Sequence, residues 1–418
     1  MNQIIIPGQY SGNIQIPSSK SDTQRALLAA ALAKGESTLH YAGKSSDETA
    51  MLEAISSLGA MVSVVSETTM NIQGISHFPG ETTLFMHESG LGFRLITSIC
   101  VAHGGKFTLN GSGSLASRPM DFFEKYLPLF GIKVTSSNGF IPLVLEGKMH
   151  GAEVVIDGSQ SSQYLSGLLM ALPLLETESR LEVSDLKSIP YIRMTLNTLA
   201  KFGIDIMHQD FTSFVIAGKQ KYLPATYTIE GDWSSASYWL VASALGQNIA
   251  VSGLSLQSLQ ADKQILKAFE NAGCAVEFHD LAIRINGTER QPFTFDATHC
   301  PDLFPALVTF AALCDGRSDI SGLHRLRHKE SDRGEVLKSE FEKIGVNIVL
   351  NDDTMHIYGK SSIEGGKVSA SNDHRIAMCL AIAGIFADAP ITIEGAQAVS
   401  KSYPDFWTHL ESLQAGIS

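Results

Sequence analysis

Six of the twelve arginines lie at comparable places in the chain, either at the start of an apolar segment or in a polar loop. They are Arg25, Arg94, Arg118, Arg327, Arg333 and Arg375. A guanidinium group binds phosphate or carboxylate through two parallel N–H bonds, which lysine cannot do. The recurrence of arginine at these places therefore predicts a site for anionic ligands. Taken singly, each is equally explained as a surface arginine paired with the acidic excess of the chain.

Three polar segments carry further candidate side chains. SKSDTQR, at 19–25, places a lysine, a serine and an arginine within two turns of a helix start, where free N–H groups suit a phosphate. GSQSSQYL, at 158–165, offers hydroxyl and amide groups for a polyhydroxylated ligand. RLRHKESDR, at 325–333, is the densest charge cluster. Ordinary helix caps and a solvated charged helix face are the alternative interpretations.

Familiar nucleotide and metal motifs do not occur in the sequence. There is no GxxxxGK[ST] motif, and GSGSLAS at 111–117 lacks the third glycine of a dinucleotide fingerprint. The 13 histidines form no HExxH motif, and the five cysteines never form a CxxC pair. We therefore expect no tightly bound metal and no disulfide framework, which fits a reducing cytoplasmic location.

A repeat of about 70 residues supplies the elements that position these side chains. Each unit contains a β-branched strand, a polar loop, an amphipathic helix, a glycine suited to a helix C-cap and another strand. The marker glycines are Gly59, Gly131, Gly203, Gly273, Gly345 and Gly416. Each unit also has a more apolar helix with polar residues at its N-terminal end, which predicts a buried helix whose start faces an anion site. The repeat predicts an α/β fold.

The units divide equally about the stretch GKQKYLPATYTIEGD, at 218–232, with three on each side. This division predicts two similar α/β domains. We expect the N-terminal domain to span 19–229 and the C-terminal domain to combine 1–18 with 230–418. The short N-terminal strand is assigned to the second domain because the first full unit begins only near Lys20.

Composition and charge exclude several classes of protein. The chain has 418 residues, of which 44% are hydrophobic and 18% charged, so it is a compact globular protein. Its net charge of −12 argues against sequence-independent binding of nucleic acid. Apolar stretches such as that from Arg375 to Ala387 are shorter than the ~18 residues needed to cross a bilayer. The first residues suggest a strand rather than a targeting peptide. We expect no nucleic-acid or membrane partner.

Eight segments occur in the order found in one known enzyme family. They are PSSKSDTQRALLAAALA, SRPMDFF, DGSQSSQYLSGLLMALP, IPYIRMTLN, EGDWSSASY, KESDR, NDHRIAM and KSYPDFW. From end to end the chain resembles the EPSP synthase (3-phosphoshikimate 1-carboxyvinyltransferase) family. The resemblance implies two similar domains, each of three βαβαββ repeats, in an inside-out α/β barrel. It implies transfer of the enolpyruvyl group of phosphoenolpyruvate to the 5-hydroxyl of shikimate 3-phosphate, in the shikimate pathway, by a monomer that needs no cofactor.

The resemblance also implies roles for individual residues. Shikimate 3-phosphate is expected to contact Lys20, Ser21, Arg25, Ser161, Ser162, Gln163, Ser188, Asp302 and Lys329. Phosphoenolpyruvate is expected to contact Lys20, Gly90, Arg118, Gln163, Arg333, Arg375 and Lys401. The expected catalytic residues are Asp302 as general base, Glu330 with Lys20 at the methylene carbon, and Lys401 near the phosphate leaving group. Because these groups come from both domains, the resemblance implies a closure that excludes water.

Two positions depart from the family pattern. The loop that usually reads NAGTxxR is ESGLGFR here, so Glu88 replaces an asparagine and Leu91 replaces a threonine. Arg325 stands where an asparagine is usual, four residues before the lysine and glutamate of KESDR. We hypothesise that the charge of Glu88 weakens the binding of the anionic phosphoenolpyruvate.

The sequence leaves two alternative functions open. One is the related enolpyruvyl transfer to UDP-N-acetylglucosamine, an enzyme that normally carries a cysteine five residues before the Arg-Pro dipeptide. This chain has Gly113 there, and KESDR favours the shikimate branch. The other alternative is a non-catalytic, anion-binding relative. The joint presence of Asp302, Glu330 and Lys401 argues against it, since a binding protein needs no matched acid and base.

Overall fold

A computed structural model describes residues 1–279 and 281–414, and its backbone separates into two compact units. The N-terminal unit comprises Ser18–Glu230. The C-terminal unit combines Met1–Pro17 with the chain from Gly231 onward. The start of the chain therefore belongs to the same compact unit as its second half.

Short strands and helices alternate regularly along the described residues. The strands are β1 (Asn2–Ile5), β2 (Ser11–Gln15), β3 (Glu36–His40), β4 (Met61–Val64), β5 (Thr69–Gln73), β6 (Glu81–Phe85), β7 (Gly105–Asn110), β8 (Lys133–Ser137), β9 (Phe140–Gly147), β10 (Glu153–Asp157), β11 (Ser179–Ser184), β12 (Met207–Gln209), β13 (Ser213–Ile216), β14 (Thr226–Thr228), β15 (Asn248–Ser252), β16 (Ala275–His279), β17 (Ala282–Asn286), β18 (Thr294–Asp296), β19 (Gly316–Ser321), β20 (Asn347–Asn351), β21 (Thr354–Gly359), β22 (Gly366–Ser369) and β23 (Ile391–Glu394). The α-helices are α1 (Lys20–Leu32), α2 (Ser46–Ser57), α3 (Gly90–His103), α4 (Asp121–Tyr126), α5 (Ser162–Ala171), α6 (Ile189–Lys201), α7 (Trp233–Ala244), α8 (Ile265–Asn271), α9 (Phe304–Ala312), α10 (Arg333–Glu342), α11 (His374–Ile385) and α12 (Phe406–Leu413). Short 3₁₀ helices lie at Gly113–Ser117, Leu127–Phe130, Leu172–Leu174, Ala261–Gln264, Pro301–Leu303, Leu323–Leu326 and Ala396–Lys401.

Three sheets share one topology, which defines the repeat. In the sheet β6-β7-β9-β8, the first two strands are parallel and the other pairs are antiparallel. The sheets β10-β11-β13-β12 and β18-β19-β21-β20 have the same order and directions. Parallel neighbours need a crossover connection, which α3, α5 and α9 supply. Each of these repeats therefore has the order βαβαββ.

The other three sheets each include a strand from a distant part of the chain. In the N-terminal unit, β14 pairs in parallel with β3 and completes the sheet β14-β3-β5-β4. In the C-terminal unit, β2 pairs in parallel with β15 in the sheet β16-β17-β15-β2. There, β1 pairs antiparallel with β23, which is parallel to β22. In each unit, a strand from the start of its sequence thus pairs with one from its end, and each unit contains three of the six repeats that the sequence predicts.

The apolar helix of each repeat is buried. Nearly every side chain of α1, α3 and α5 in the N-terminal unit is inaccessible, and the same holds for α7, α9 and α11 in the C-terminal unit. The latter three helices pack against one another. Helices that are apolar nearly all round have no face suited to water, so they form the centre of a unit. The prediction of buried helices is confirmed.

Most marker glycines follow a helix end with a positive φ. The five described ones are Gly59 (107°), Gly131 (87°), Gly203 (79°), Gly273 (79°) and Gly345 (79°). Gly416 lies outside the described residues. A positive φ is strained for residues with a Cβ atom, so glycine marks these ends in the sequence.

Candidate active site

Buried polar contacts hold the starts of α1, α3 and α5 together in the N-terminal unit. Ser89 Oγ, at the N-cap of α3, donates to Gln24 Oε1 on α1 at 3.2 Å. Arg94 Nη1 on α3 donates to Gln163 Oε1 on α5 at 2.8 Å. Gly167 permits this close approach, because a Cβ there would lie 2.5 Å from the carbonyl oxygen of Arg94. The polar starts of three apolar helices therefore meet in one region of the unit.

Lys20 and Ser21 are the first two residues of α1. Lys20 Nζ lies 2.8 Å from Asp47 Oδ2 on α2, and the two side chains are only 14% and 10% exposed. Ser21 Oγ lies 3.4 Å from Ser19 Oγ. Because the ammonium group already pairs with a carboxylate, an anionic ligand has to compete with Asp47 for Lys20.

Arg25, the expected phosphate-binding arginine of α1, is buried within the unit. Its Nε donates to Thr195 Oγ1 on α6 at 2.8 Å, and its Nη1 donates to the carbonyl oxygen of Ser21 at 2.8 Å. Burial lowers the pKa of the guanidinium to about 10, partly offset by Asp22, so the group stays charged at neutral pH. Arg25 therefore links α1 to α6 and places a buried positive charge next to the backbone of Ser21.

A compact cationic group lies at Gly90, where the guanidinium groups of Arg94 and Arg118 approach the same position. Gly90 is the first residue of α3, and Arg118 follows the 3₁₀ helix Gly113–Ser117. A Cβ on Gly90 would lie 2.4 Å from Arg118 Nη1 and 3.1 Å from Arg94 Nη1. Both arginine side chains are nearly buried. The absence of a side chain at position 90 therefore lets two guanidinium groups reach the start of α3.

The other three expected serine contacts lie at the starts of α5 and α6. Ser161 is the N-cap of α5 and accepts a hydrogen bond from Gln163 N at 3.3 Å, and Ser162 is the first residue of that helix. Ser188 precedes α6 with φ 56° and is buried. These hydroxyl groups thus lie at the same kind of position as Lys20 and Gly90.

In the C-terminal unit, Asp302 contacts three cations. It lies in the 3₁₀ turn that leads into α9. Its Oδ1 is 3.1 Å from Lys329 Nζ and 2.9 Å from Arg333 Nη1, and its Oδ2 is 3.0 Å from Arg375 Nη2. Burial alone would raise the pKa of this carboxyl, but the three cations outweigh it and hold the pKa well below its usual range. Asp302 is therefore ionised.

Arg333 connects this carboxylate to two others. Its Nη2 lies 2.6 Å from Glu330 Oε2, and its Nε lies 2.7 Å from Asp373 Oδ2. Asp373 is also the N-cap of α11 and accepts from Arg375 N at 2.9 Å. Burial opposes the charge of Arg333, yet the surrounding carboxylates raise its pKa above the ordinary value. Five residues predicted for the site thus form one network: Asp302, Lys329, Glu330, Arg333 and Arg375.

Lys401 reaches the same region from the last 3₁₀ helix. Its Nζ donates to the carbonyl oxygen of Asn372 at 2.6 Å. Asn372 immediately precedes Asp373, the N-cap of α11. This contact places the Lys401 ammonium beside the start of α11.

Three carboxylates that belong to these clusters are not among the residues predicted from the sequence. Asp47 and Asp373 are the partners described above, and the N-cap position of Asp373 is the signal that could have indicated it. Asp262 is buried and accepts a hydrogen bond from Ser234 Oγ. Burial, with a contribution from the nearby charge of Asp302, raises the pKa of Asp262 to about 7. No motif marks Asp262 in the sequence.

The two clusters suit acid–base chemistry on anionic substrates. Each places cations at the starts of buried apolar helices, and the C-terminal cluster adds an ionised carboxylate. With six repeats in two units, these features define a class of two-domain α/β repeat proteins whose cationic sites suit anionic ligands.

Comparison with known proteins specifies the family. The family profile described as EPSP synthase (3-phosphoshikimate 1-carboxyvinyltransferase) matches residues 4–410. A curated Clostridium kluyveri protein named 3-phosphoshikimate 1-carboxyvinyltransferase is 35% identical over 415 residues, covering 99% of this chain and 97% of the relative. A Clostridium botulinum protein of that name is 36% identical over 418 residues, covering 98% and 96%. A structure of EPSP synthase from Acinetobacter baumannii shares the fold, with TM-score 0.81, 24% identity and coverage of 99% and 98%.

This chain belongs to the EPSP synthase family. The predictions of the family, of the two-domain inside-out α/β barrel and of a transferase in the shikimate pathway are confirmed. No helix within 1–279 and 281–414 is long and apolar enough to cross a membrane.

Proposed function

We propose that this protein transfers the enolpyruvyl group of phosphoenolpyruvate to the 5-hydroxyl of shikimate 3-phosphate and releases phosphate. Membership of the family supports this pair of substrates. The observation that carries the proposal is the network around Asp302, an ionised carboxylate surrounded by three cations. Adding a hydroxyl group to phosphoenolpyruvate requires a base next to groups that bind anions.

The substrate contacts are proposed at the helix starts and loops described above. Shikimate 3-phosphate is bound by Lys20, Ser21, Arg25, Ser161, Ser162, Gln163, Ser188, Asp302 and Lys329. Phosphoenolpyruvate is bound by Lys20, Gly90, Arg118, Gln163, Arg333, Arg375 and Lys401. Hydroxyl and amide groups suit the sugar-like ring, and the cations suit phosphate and carboxylate.

The reaction proceeds by addition and elimination. In the addition, the 5-hydroxyl oxygen bonds to C2 of phosphoenolpyruvate, Asp302 accepts the hydroxyl proton, and Glu330 with Lys20 protonates the methylene carbon. The product of this step is a tetrahedral ketal. In the elimination, the bond from C2 to the phosphate oxygen breaks with its electron pair leaving on phosphate, and Glu330 with Lys20 takes back a proton from the methyl carbon as the double bond re-forms. The cations that stabilise the leaving phosphate are Arg118, Arg333, Arg375 and Lys401.

Phosphate release on mixing the protein with both substrates tests this function. We expect release with shikimate 3-phosphate and none with UDP-N-acetylglucosamine. The Asp302→Asn variant should release phosphate about 10²- to 10⁴-fold more slowly, because it lacks the proton acceptor. It should bind phosphoenolpyruvate at least as tightly as the wild type in calorimetry, because the carboxylate that competes for Arg375 is gone.

The matched control is Asp315→Asn, the same chemical change at an exposed position of the same unit. It should leave turnover unchanged. Absence of phosphate release by the wild type with shikimate 3-phosphate would refute the proposed function. Full turnover by Asp302→Asn would instead refute only the role of Asp302 as base.

A further inference from the structure

Glu88, the acidic residue at a position where the family usually has asparagine, is bonded to a neighbouring loop. It is half-buried in the segment between β6 and α3. Its Oε2 accepts a hydrogen bond from Ser114 N at 2.8 Å. Ser114 belongs to the 3₁₀ helix Gly113–Ser117, which directly precedes Arg118. The carboxylate therefore holds the loop that presents a proposed ligand of phosphoenolpyruvate.

The loop is shaped around this carboxylate. Gly113 has φ 56°, and a Cβ there would lie 2.3 Å from both Cδ and Oε2 of Glu88. Ser112 N donates to the carbonyl oxygen of His87 at 2.7 Å. This is a second hydrogen bond between the loop at 112–118 and the segment that contains Glu88. A side chain at position 113 would therefore displace the Glu88 carboxylate from this position.

Ser114 links the Glu88 carboxylate to Arg118 through two hydrogen bonds. While its backbone N–H is bonded to Glu88, its Oγ accepts a hydrogen bond from Arg118 Nη2 at 3.3 Å. The other terminal nitrogen, Arg118 Nη1, lies where a Cβ on Gly90 would approach to 2.4 Å. One serine thus bonds both to the carboxylate and to the guanidinium group.

We propose that Glu88 is a positioning residue that holds the loop at 112–118 and so fixes the guanidinium of Arg118 over Gly90. The proposal rests on the proposed function, in which Arg118 binds phosphoenolpyruvate. Its predicted effect of Glu88 on the affinity for phosphoenolpyruvate is opposite to that of the hypothesis that the charge of Glu88 weakens anion binding. A repulsive carboxylate lowers affinity, whereas a carboxylate that places Arg118 increases it.

Two substitutions separate these effects. Glu88→Gln removes the charge but keeps an oxygen that accepts from Ser114 N, whereas Glu88→Ala removes both. We expect the KM for phosphoenolpyruvate to stay within about twofold in Glu88→Gln and to rise about tenfold in Glu88→Ala, or ~1.4 kcal/mol. The KM for shikimate 3-phosphate should not change in either variant. A fall in the KM for phosphoenolpyruvate in both variants would overturn the proposal.

A double-mutant cycle tests the route through Ser114. Ser114→Ala keeps the N–H that bonds to Glu88 but removes the oxygen that bonds to Arg118. If both residues act on Arg118 in series, Glu88→Ala combined with Ser114→Ala should raise the KM for phosphoenolpyruvate no more than Glu88→Ala alone. If the double variant instead raises the KM by the product of the two single increases, the two residues act independently, and Glu88 does not act through Ser114.

Hydrogen exchange of the backbone at 112–118 provides a readout that does not depend on turnover. We expect faster exchange in Glu88→Ala and wild-type exchange in Glu88→Gln. Unchanged exchange in Glu88→Ala would overturn the proposal even in an active enzyme. A wild type that exchanges slowly here but releases no phosphate would refute the proposed function and leave the loop contact in place.

Discussion

Substitution of Gly90 by alanine tests whether the position of Arg118, and not only its charge, matters for binding. The added Cβ would lie 2.4 Å from Arg118 Nη1, whereas ordinary contacts begin at 3.4 Å, so the guanidinium must retreat by about 1 Å. Arg94 Nη1, at 3.1 Å, must give by a few tenths of an ångström. Both neighbours are the far ends of flexible side chains, so the backbone need not move.

The substitution should therefore separate stability from function. Gly90 is the first residue of α3, and alanine favours a helix over glycine by up to about 1 kcal/mol. We expect the free energy of unfolding to be unchanged or slightly raised. Because Arg118 is a proposed ligand of phosphoenolpyruvate, its displacement by about 1 Å should raise the KM for phosphoenolpyruvate about tenfold to hundredfold.

Steady-state kinetics with each substrate varied in turn, together with urea unfolding, measures both effects. The control is Gly80→Ala in the same unit, where nothing lies within 4 Å of an added Cβ. It should leave both quantities unchanged. A Gly90→Ala enzyme with a wild-type KM for phosphoenolpyruvate would show that Arg118 need not lie over position 90. A large loss of stability would show that the clash is not absorbed by the arginines.

Two further predictions concern α1. Asp22 accepts from Tyr227 Oη at 2.7 Å and from Glu230 N at 3.2 Å, and burial raises its pKa to about 6. The folded protein thus binds a proton that the unfolded chain has released, so this contribution to stability is present below about pH 4 and is lost as the pH rises through 6. As the pH rises from about 4 to above 6, the free energy of unfolding of the wild type should fall by up to about 3 kcal/mol relative to that of Asp22→Asn, as measured by urea unfolding. The same difference between the two proteins at both pH values would contradict this prediction. Arg25→Lys keeps the charge but loses the Nε donor to Thr195, and should lower the free energy of unfolding by about 2 kcal/mol in the same assay. An equally stable variant would show that this buried contact contributes little.

The repeat and the starts of its helices can be predicted from the sequence because they depend on local chemistry. A glycine such as Gly131 marks a helix end through its positive φ, and Ser89 and Ser161 cap helices through their own side chains. Apolar residues nearly all round α3 require burial wherever the helix lies. Such signals act within a few residues, so the architecture follows from their recurrence along the chain.

The partners of the charged residues depend on tertiary packing and leave no local signal. Asp302 and Arg375 are 73 positions apart in the sequence, and Arg333 and Asp373 are 40 apart. Asp262 lies in a segment without a recognisable motif, yet burial raises its pKa to about 7. A sequence can therefore suggest which cations bind anions, but only the structure reveals which carboxylates they already bind.

Asp302 is both the centre of a cation network and the proposed base, and these roles make opposite demands on its basicity. Lys329, Arg333 and Arg375 hold its pKa well below the usual range despite burial, so alone it is a weak base. In the proposed function the same cations bind the anionic groups of the substrates. When a phosphate or carboxylate replaces Asp302 as the partner of Arg375, the ionised carboxyl loses stabilisation and its pKa rises. If the proposed function is right, binding of the anionic substrate thus makes Asp302 a stronger base at the moment when the hydroxyl proton has to be accepted.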